Sequence, residues 1–249
     1  MNTLVQPQIE YPSSDGAPLG ENTLQVKWII DLYTGFDLLF RHRDDVFLAS
    51  DLFWYPVEGD PRTVRAADVM IVFGRPKGER LSYKQWEEEG VAPQIAIEVL
   101  SPSNRGLELK KKFRFYEQFD VEEYYTYDPD SDELVVYLRD NDRLKAVKNV
   151  RSFRSPRLGI QFEFPSDGPI RVLDPQGKRF RNHRDLHDDY ERVIAEKEEQ
   201  FRLAKYEGKR AEAEAKRAEA EAKRAEAEAK RAESYRDKLR AAGIDPDAV

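Results

Sequence analysis

The chain has 249 residues, three histidines, no cysteine and a formal net charge of −7 at pH 7. The lack of cysteine excludes a disulfide framework and a cysteine-based zinc site, so any metal is expected to be held by oxygen, as Mg2+ or Mn2+ is. The acidic balance excludes a chain that is basic throughout, although a local basic face would still allow nucleic acid to bind. Because no apolar stretch reaches the ~18 residues of a membrane helix and no signal-like start is present, we expect a cytoplasmic protein that does not bind membranes.

The first 20 residues are polar and contain three prolines, so we interpret residues 1–20 as an N-terminal arm. Apolar residues then recur at helical spacing and predict a helix over about 21–41, with Gly35 as a weak point. Strand character follows in "VFLASDLFWY", "ADVMIVFG" and "QIAIEVL", and the last is nearly all apolar, as in a strand covered on both faces. Further along the chain, the pattern predicts a helix in "GLELKKKFRFYEQF", two strands joined by a turn in "VEEYYTYDPDSDELVVYLR", and short strands in "GIQFEF" and "PIRVLDP". This alternation predicts an α/β domain over 21–181, with a mixed central sheet flanked by helices.

From residue 182 to residue 249 the composition changes to alanine, glutamate, lysine and arginine, and "KRAEAEA" repeats without variation from residue 209. Such a composition favours a long helix. The repeat length is that of a coiled coil, with alanines at alternating steps of four and three that Ile194, Phe201 and Leu239 extend. Because alanine buries little area, both a weak coiled coil and a single solvated helix remain open.

Two acids and a lysine could form a metal-dependent site. Asp68 begins one predicted strand and Glu98 interrupts another, so the two carboxylates converge if the strands are neighbours. A divalent cation would remove their repulsion, and the backbone carbonyl of Leu100, where the strand ends, is a further candidate ligand. Lys112 lies beside the apolar stripe of the following helix, on the face of Tyr116, and can point towards the strand end. Acids, a lysine and a metal together are typical of phosphodiester hydrolysis.

Basic and polar residues around these positions are candidates for substrate contacts. On the helix of Lys112, three other basic residues are better placed to bind phosphates: Lys110, Lys111 and Arg114. Tyr116 is a possible accessory residue, although a tyrosine at this spacing also suits core packing. The hydroxyl of Ser101 is a possible contact for phosphate or metal-bound water, although "SPSN" is also typical of a turn before a helix.

The chain resembles a family of bacterial restriction endonuclease-like proteins, similar to the PD-(D/E)XK nuclease superfamily. The matching segments are "YPSSDGAPLGENTLQ", "ADVMIVFG", "IAIEVLSPSN", "KFRFYEQFDVEEYYTYDPD" and "RVLDPQGKRF" followed by a charged helix, so the resemblance covers essentially the whole chain. It implies a mixed central sheet flanked by helices and a magnesium-dependent site that hydrolyses phosphodiester bonds.

By this resemblance, Asp68 matches the first acid of the motif and Glu98 the second. Ala67 stands where proline usually precedes the first acid. Leu100 replaces the lysine expected two residues after the second acid, and Lys112 fits a lysine displaced to the following helix. An acid on the first helix sometimes joins such sites, which makes Glu21 a candidate.

Three functions follow as hypotheses. The first is an endonuclease that hydrolyses DNA with Mg2+ or Mn2+, as a homodimer that the C-terminal helix helps to form. The second is a catalytically inactive protein with the nuclease fold that binds nucleic acid or partners. The third is assembly through the C-terminal helix alone.

Overall fold

The structure, a computed structural model, describes residues 9–14, 22–101 and 106–243. The chain divides into two compact units, residues 1–186 and 187–249. Most of the predicted arm and the accessory candidate Glu21 lie outside the described residues. Within the described part of the chain, no helix is long and apolar enough to cross a membrane.

Helices and strands alternate along the first unit. The α-helices are α1 (Thr23–Leu39), α2 (Leu107–Gln118) and α3 (His183–Ala241). The strands are β1 (Val46–Ala49), β2 (Leu52–Tyr55), β3 (Arg65–Ala67), β4 (Val69–Phe73), β5 (Tyr83–Lys84), β6 (Ile95–Val99), β7 (Glu123–Asp128), β8 (Glu133–Asp140), β9 (Arg143–Ala146), β10 (Gln161–Glu163) and β11 (Arg171–Leu173). The central sheet has the order β1-β4-β6-β7-β8-β9 and is mixed, because β6 and β7 run parallel while the other pairs are antiparallel. This architecture, with its long C-terminal helix, confirms the predicted fold class.

Some elements differ from the sequence prediction. The segment "VFLASDLFWY" forms two strands in different sheets, because the chain turns at Ser50 and Asp51, where Asp51 has a φ of 49°. The edge strand β9 was missed because three of its four residues are exposed and its pattern carries little apolar signal. The other missed strands, β3 and β5, have three and two residues, too short for periodicity to be read.

Alternation along β6 divides the core into two layers. Ile95, Ile97 and Val99 pack in the layer that contains α1, whereas Ala96 packs in the layer that contains α2. Because successive strand residues point to opposite faces, Glu98 faces α2 together with Ala96. All five residues of β6 are buried, as the apolar sequence predicts for a strand covered on both faces.

Gly35 marks a close contact on α1. A β-carbon at this position would lie 2.1 Å from Cδ2 of Phe180. The Phe180 ring packs edge-on against Phe36, with ring centroids 5.1 Å apart. The glycine that looked like a weak point of the helix therefore makes room for an aromatic side chain.

The described part of the arm is anchored to β2. Pro12 accepts a 2.5 Å hydrogen bond from the hydroxyl of Tyr55, and the hydroxyl of Tyr11 accepts one of 2.6 Å from the amide of Gly59. The Tyr11 ring also contacts Trp86, with centroids 4.9 Å apart. This short piece of the arm therefore packs against a second, three-stranded sheet of order β3-β2-β5.

The described part of the second unit consists almost entirely of the solvent-exposed stretch of α3. Identical ion pairs recur one repeat apart along it: Glu212–Lys216, Glu219–Lys223 and Glu226–Lys230. Glutamates flank the alanine seam on both sides, since Glu212 follows the seam residue Ala211 and Glu214 precedes the seam residue Ala215. The helix thus pairs one glutamate and one lysine per seven residues, and glutamates border its small apolar stripe.

Candidate active site

Glu98 and Lys112 form a buried ion pair between β6 and α2. Lys112 Nζ lies 2.6 Å from Glu98 Oε2, and the hydroxyl of Tyr116 donates to Glu98 Oε1 at 2.7 Å. Glu98 is only 1 % exposed. Lys112 and Tyr116 stand one helical turn apart, so the same face of α2 brings both donors to the one carboxylate.

Asp68 lies between β3 and β4 and reaches across to β6. Its Oδ2 accepts a 2.6 Å hydrogen bond from the amide of Val99. Ser50 donates through its hydroxyl to the backbone carbonyl of Asp68 at 2.7 Å and so holds this turn against the end of β1. Because β4 is paired with β6 only as far as Val69, the Asp68 carboxylate takes the place of the next backbone acceptor.

The electrostatics link the two acids to the lysine. Burial raises the pKa of Asp68 to about 7, with repulsion by Glu98 adding to it and attraction to Lys112 opposing it. Burial also raises the pKa of Glu98, although Lys112 and Tyr116 lower it in part. Burial lowers the pKa of Lys112, but Glu98 and Asp68 attract its charge strongly enough to leave that pKa above its usual value. The site therefore brings two carboxyl groups to a single lysine, and ionisation of both is disfavoured.

Two neighbours of this site were missed from the sequence. Asp51, in the turn between β1 and β2, is close enough for its charge to raise the pKa of both Asp68 and Glu98. Gln25, on α1, donates its Nε2 to the carbonyl of Val99 at 2.9 Å. Neither residue stands in a recognisable motif; a polar residue at an inward position of an amphipathic helix was the one available signal for Gln25.

The end of β6 turns two successive amides to opposite sides. The amide of Val99 donates to Asp68, whereas the amide of Leu100 donates to the carbonyl of Tyr127 on β7 at 2.7 Å. The role of the Leu100 carbonyl as a metal ligand stays a prediction. Ser101 is buried directly after the strand, and the adjacent residues 102–105 lie outside the described residues.

The predicted phosphate-binding residues lie on the outer surface of α2. Lys110 and Arg114 line an open cavity of about 730 Å3 with Arg139 and Arg143. Lys111 instead forms a 3.3 Å ion pair with a glutamate one turn earlier on α2. Neither Lys110 nor Arg114 forms an ion pair with another described residue, so both are available to an anionic ligand.

The oxygen atoms at this site suit a small divalent cation. No cluster of three or more His, Cys, Asp or Glu residues able to hold a metal occurs in the part of the chain that the structure describes. However, Mg2+ is commonly held by one or two carboxylates together with water and substrate phosphates, and Asp68 and Glu98 provide such a pair. Near them, the side-chain Oε1 of Gln25, whose Nε2 donates to the Val99 carbonyl, is buried without a hydrogen-bond partner among the described residues. The donor set fits an oxygen-bound cation.

A mixed sheet with two acids at one end of its central strands and a lysine beside them is the arrangement that the resemblance to restriction endonuclease-like proteins implies. The family model described as "Uma2: Putative restriction endonuclease" matches residues 15–164, more than half of the sequence. The chain belongs to the Uma2 family, which confirms the resemblance inferred from its motifs.

Other comparisons are more distant. The structure is similar to a "putative nuclease belonging to DUF820" from Anabaena variabilis ATCC 29413, with 12% sequence identity and a TM-score of 0.43. The match covers 57% of this chain and 76% of the other. No protein with a curated description matches the sequence significantly.

Proposed function

We propose that the protein is an endonuclease that hydrolyses phosphodiester bonds of DNA with the help of Mg2+ or Mn2+. The observation that carries this proposal is the meeting of Asp68, Glu98 and Lys112 at the end of β6. Membership of the Uma2 family supports the same reaction class. A homodimer, in the cytoplasm, is part of the same hypothesis.

In this proposal each residue has a distinct part. A divalent cation, when bound, would lower the pKa of water and stabilise negative charge on the phosphoryl oxygens. Asp68 and Glu98 would hold that cation. Lys112, fixed by its 2.6 Å contact with Glu98, would present a positive charge to the transition state. Lys110 and Arg114 would bind flanking phosphates electrostatically.

The test is cleavage of labelled duplex DNA, single-stranded DNA and RNA with Mg2+ or Mn2+. Glu98→Gln and Asp68→Asn should each lower the cleavage rate by about 100-fold or more, because each removes charge from the site. Glu123→Gln is the matched control, since Glu123 is a buried acid on the neighbouring strand β7 that is hydrogen-bonded to Tyr125 and Ser155. Equal cleavage by wild type and Glu98→Gln would contradict the proposal.

A catalytically inactive nuclease fold is the second candidate. The observation that favours it is that Lys112 and Tyr116 already bind both carboxylate oxygens of Glu98. These contacts give Glu98 a structural role that needs no metal. This alternative predicts no cleavage of any nucleic acid and no thermal stabilisation by Mg2+ or Mn2+. A metal-induced rise in Tm that disappears in Asp68→Asn would count against it.

A further inference from the structure

Gln25 carries a buried oxygen without a hydrogen-bond partner. The residue is 2 % exposed and lies on the inner side of α1. Its Nε2 is used, since it donates to the Val99 carbonyl at 2.9 Å, whereas its Oε1 accepts no hydrogen bond from any described residue. An unsatisfied buried acceptor costs about 1–3 kcal/mol. Buried amides elsewhere in proteins are generally satisfied, so this oxygen calls for a partner beyond the described protein atoms, either a donor such as water or a cation.

The position of Gln25 relative to Asp68 gives this oxygen a specific context. The N–H and C=O groups of one strand residue point to the same edge of the strand. At that edge, the Val99 amide donates to Asp68 and the Val99 carbonyl accepts from Gln25. Gln25 reaches the end of β6 from the α1 side of the sheet, whereas the side chain of Glu98 lies on the α2 side.

We propose that Gln25 is an oxygen ligand of the divalent cation that Asp68 and Glu98 hold. This inference rests on the metal-dependent function proposed above and adds a residue to that site. Amide oxygens are hard neutral ligands that suit such cations. A neutral ligand is favourable here because a fourth carboxylate would add to the negative charge that Asp51, Asp68 and Glu98 already place around Lys112.

A purely structural role for Gln25 makes different predictions. In that case only the Nε2 bond to Val99 matters, and its loss would affect folding but not metal affinity. Gln25→Met removes both polar atoms at similar volume, whereas Gln25→Glu keeps an oxygen and loses the donor. The two variants therefore separate the oxygen from the amide group.

The experiment measures Mn2+ binding by titration calorimetry, with the Mn2+-induced shift in Tm as a second readout. Gln25→Met should bind Mn2+ at least about tenfold more weakly than wild type, and Gln25→Glu at least as tightly as wild type. Gln94→Met is the matched control, because Gln94 also bonds the backbone, accepting from the Phe73 amide at 2.7 Å, but lies before the start of β6. Its Mn2+ affinity should stay within twofold of wild type.

Several outcomes would overturn the inference. The inference is wrong if Gln25→Met binds Mn2+ with an affinity within twofold of wild type. It is also wrong if Gln25→Met and Gln25→Glu lose Mn2+ affinity equally. If circular dichroism shows that Gln25→Met is unfolded, Gln25→Glu decides, and weaker binding than wild type would refute the role of the oxygen. No Mn2+ binding by wild type would refute this inference together with the proposed function. Binding that needs Asp68 and Glu98 but ignores Gln25 would refute the inference alone.

Discussion

Asp68→Asn should stabilise the metal-free protein above neutral pH, although Asp68 is proposed to be essential for metal binding. The side chain is 7 % exposed and shares its surroundings with Glu98. Asparagine is nearly the same size, and its amide oxygen can still accept the hydrogen bond from Val99. The substitution therefore removes a buried charge while it preserves the contact that joins the start of β4 to the end of β6.

The size of the effect follows from the pKa of Asp68, which rises from 3.8 to about 7 on folding. A raised pKa in the folded state means that folding favours the protonated acid, so the stability from this group is present below pH 3.8 and is lost as pH rises to about 7. At about 1.36 kcal/mol per pH unit, ionisation of Asp68 costs roughly 4 kcal/mol at pH 8. Asp68→Asn should recover much of this, or roughly 10 °C in Tm.

The assay is thermal and urea unfolding in EDTA at pH 5 and pH 8, with the exposed Asp167→Asn as control. The stability gain of Asp68→Asn should be largest at pH 8 and much smaller at pH 5, where wild-type Asp68 is mostly protonated. The control should change by less than about 0.5 kcal/mol at either pH. A gain that is absent at pH 8, or equal at both pH values, would show that burial of a charged Asp68 is not what strains the fold.

Three further outcomes are expected. Lys112→Met should destabilise the metal-free protein by about 3 kcal/mol in urea unfolding at pH 8, because it leaves the Glu98 carboxylate buried without its ion-pair partner; no loss would contradict the pairing. Gly35→Ala should lower the free energy of unfolding by about 1–2 kcal/mol, because the added methyl group would overlap the ring of Phe180. Gly208→Ala is the contrasting change: open space surrounds Gly208, so the substitution should raise the helicity of α3 in circular dichroism. A peptide of the α3 repeats should be helical and monomeric in analytical ultracentrifugation, since pairing through the alanine seam would bring glutamates together; a stable dimer would refute this.

The sequence was informative where hydrophobicity and charge conflicted. An acid within an otherwise apolar strand marked Glu98, and an acid at the start of another marked Asp68. Helical spacing then placed Lys112 and Tyr116 on one face, which the structure directs to Glu98. The positions of these residues follow from the spacing of apolar and charged residues within one helix or one strand. They could therefore be predicted from the sequence pattern alone.

Contacts between distant parts of the chain were not predictable in this way. Gln25 and Val99 are 74 residues apart, so an inward position on α1 does not indicate which strand residue Gln25 contacts. Which amide at the end of β6 faces Asp68 depends on which edge of β6 meets β7, and that requires the order of the strands in the sheet. The turn that brings Asp51 near the acids arises from a change of sheet between β1 and β2, and local propensity does not encode that change.

The exact repetition along α3 makes its length adjustable. Each seven-residue repeat adds about 10.5 Å to a helix that rises 1.5 Å per residue. The same seven residues make almost two full turns, falling short by only about 20°. Because each repeat carries its own glutamate–lysine pair, gaining or losing one would change the length of the rod while its charge balance and the direction of its faces stayed nearly constant.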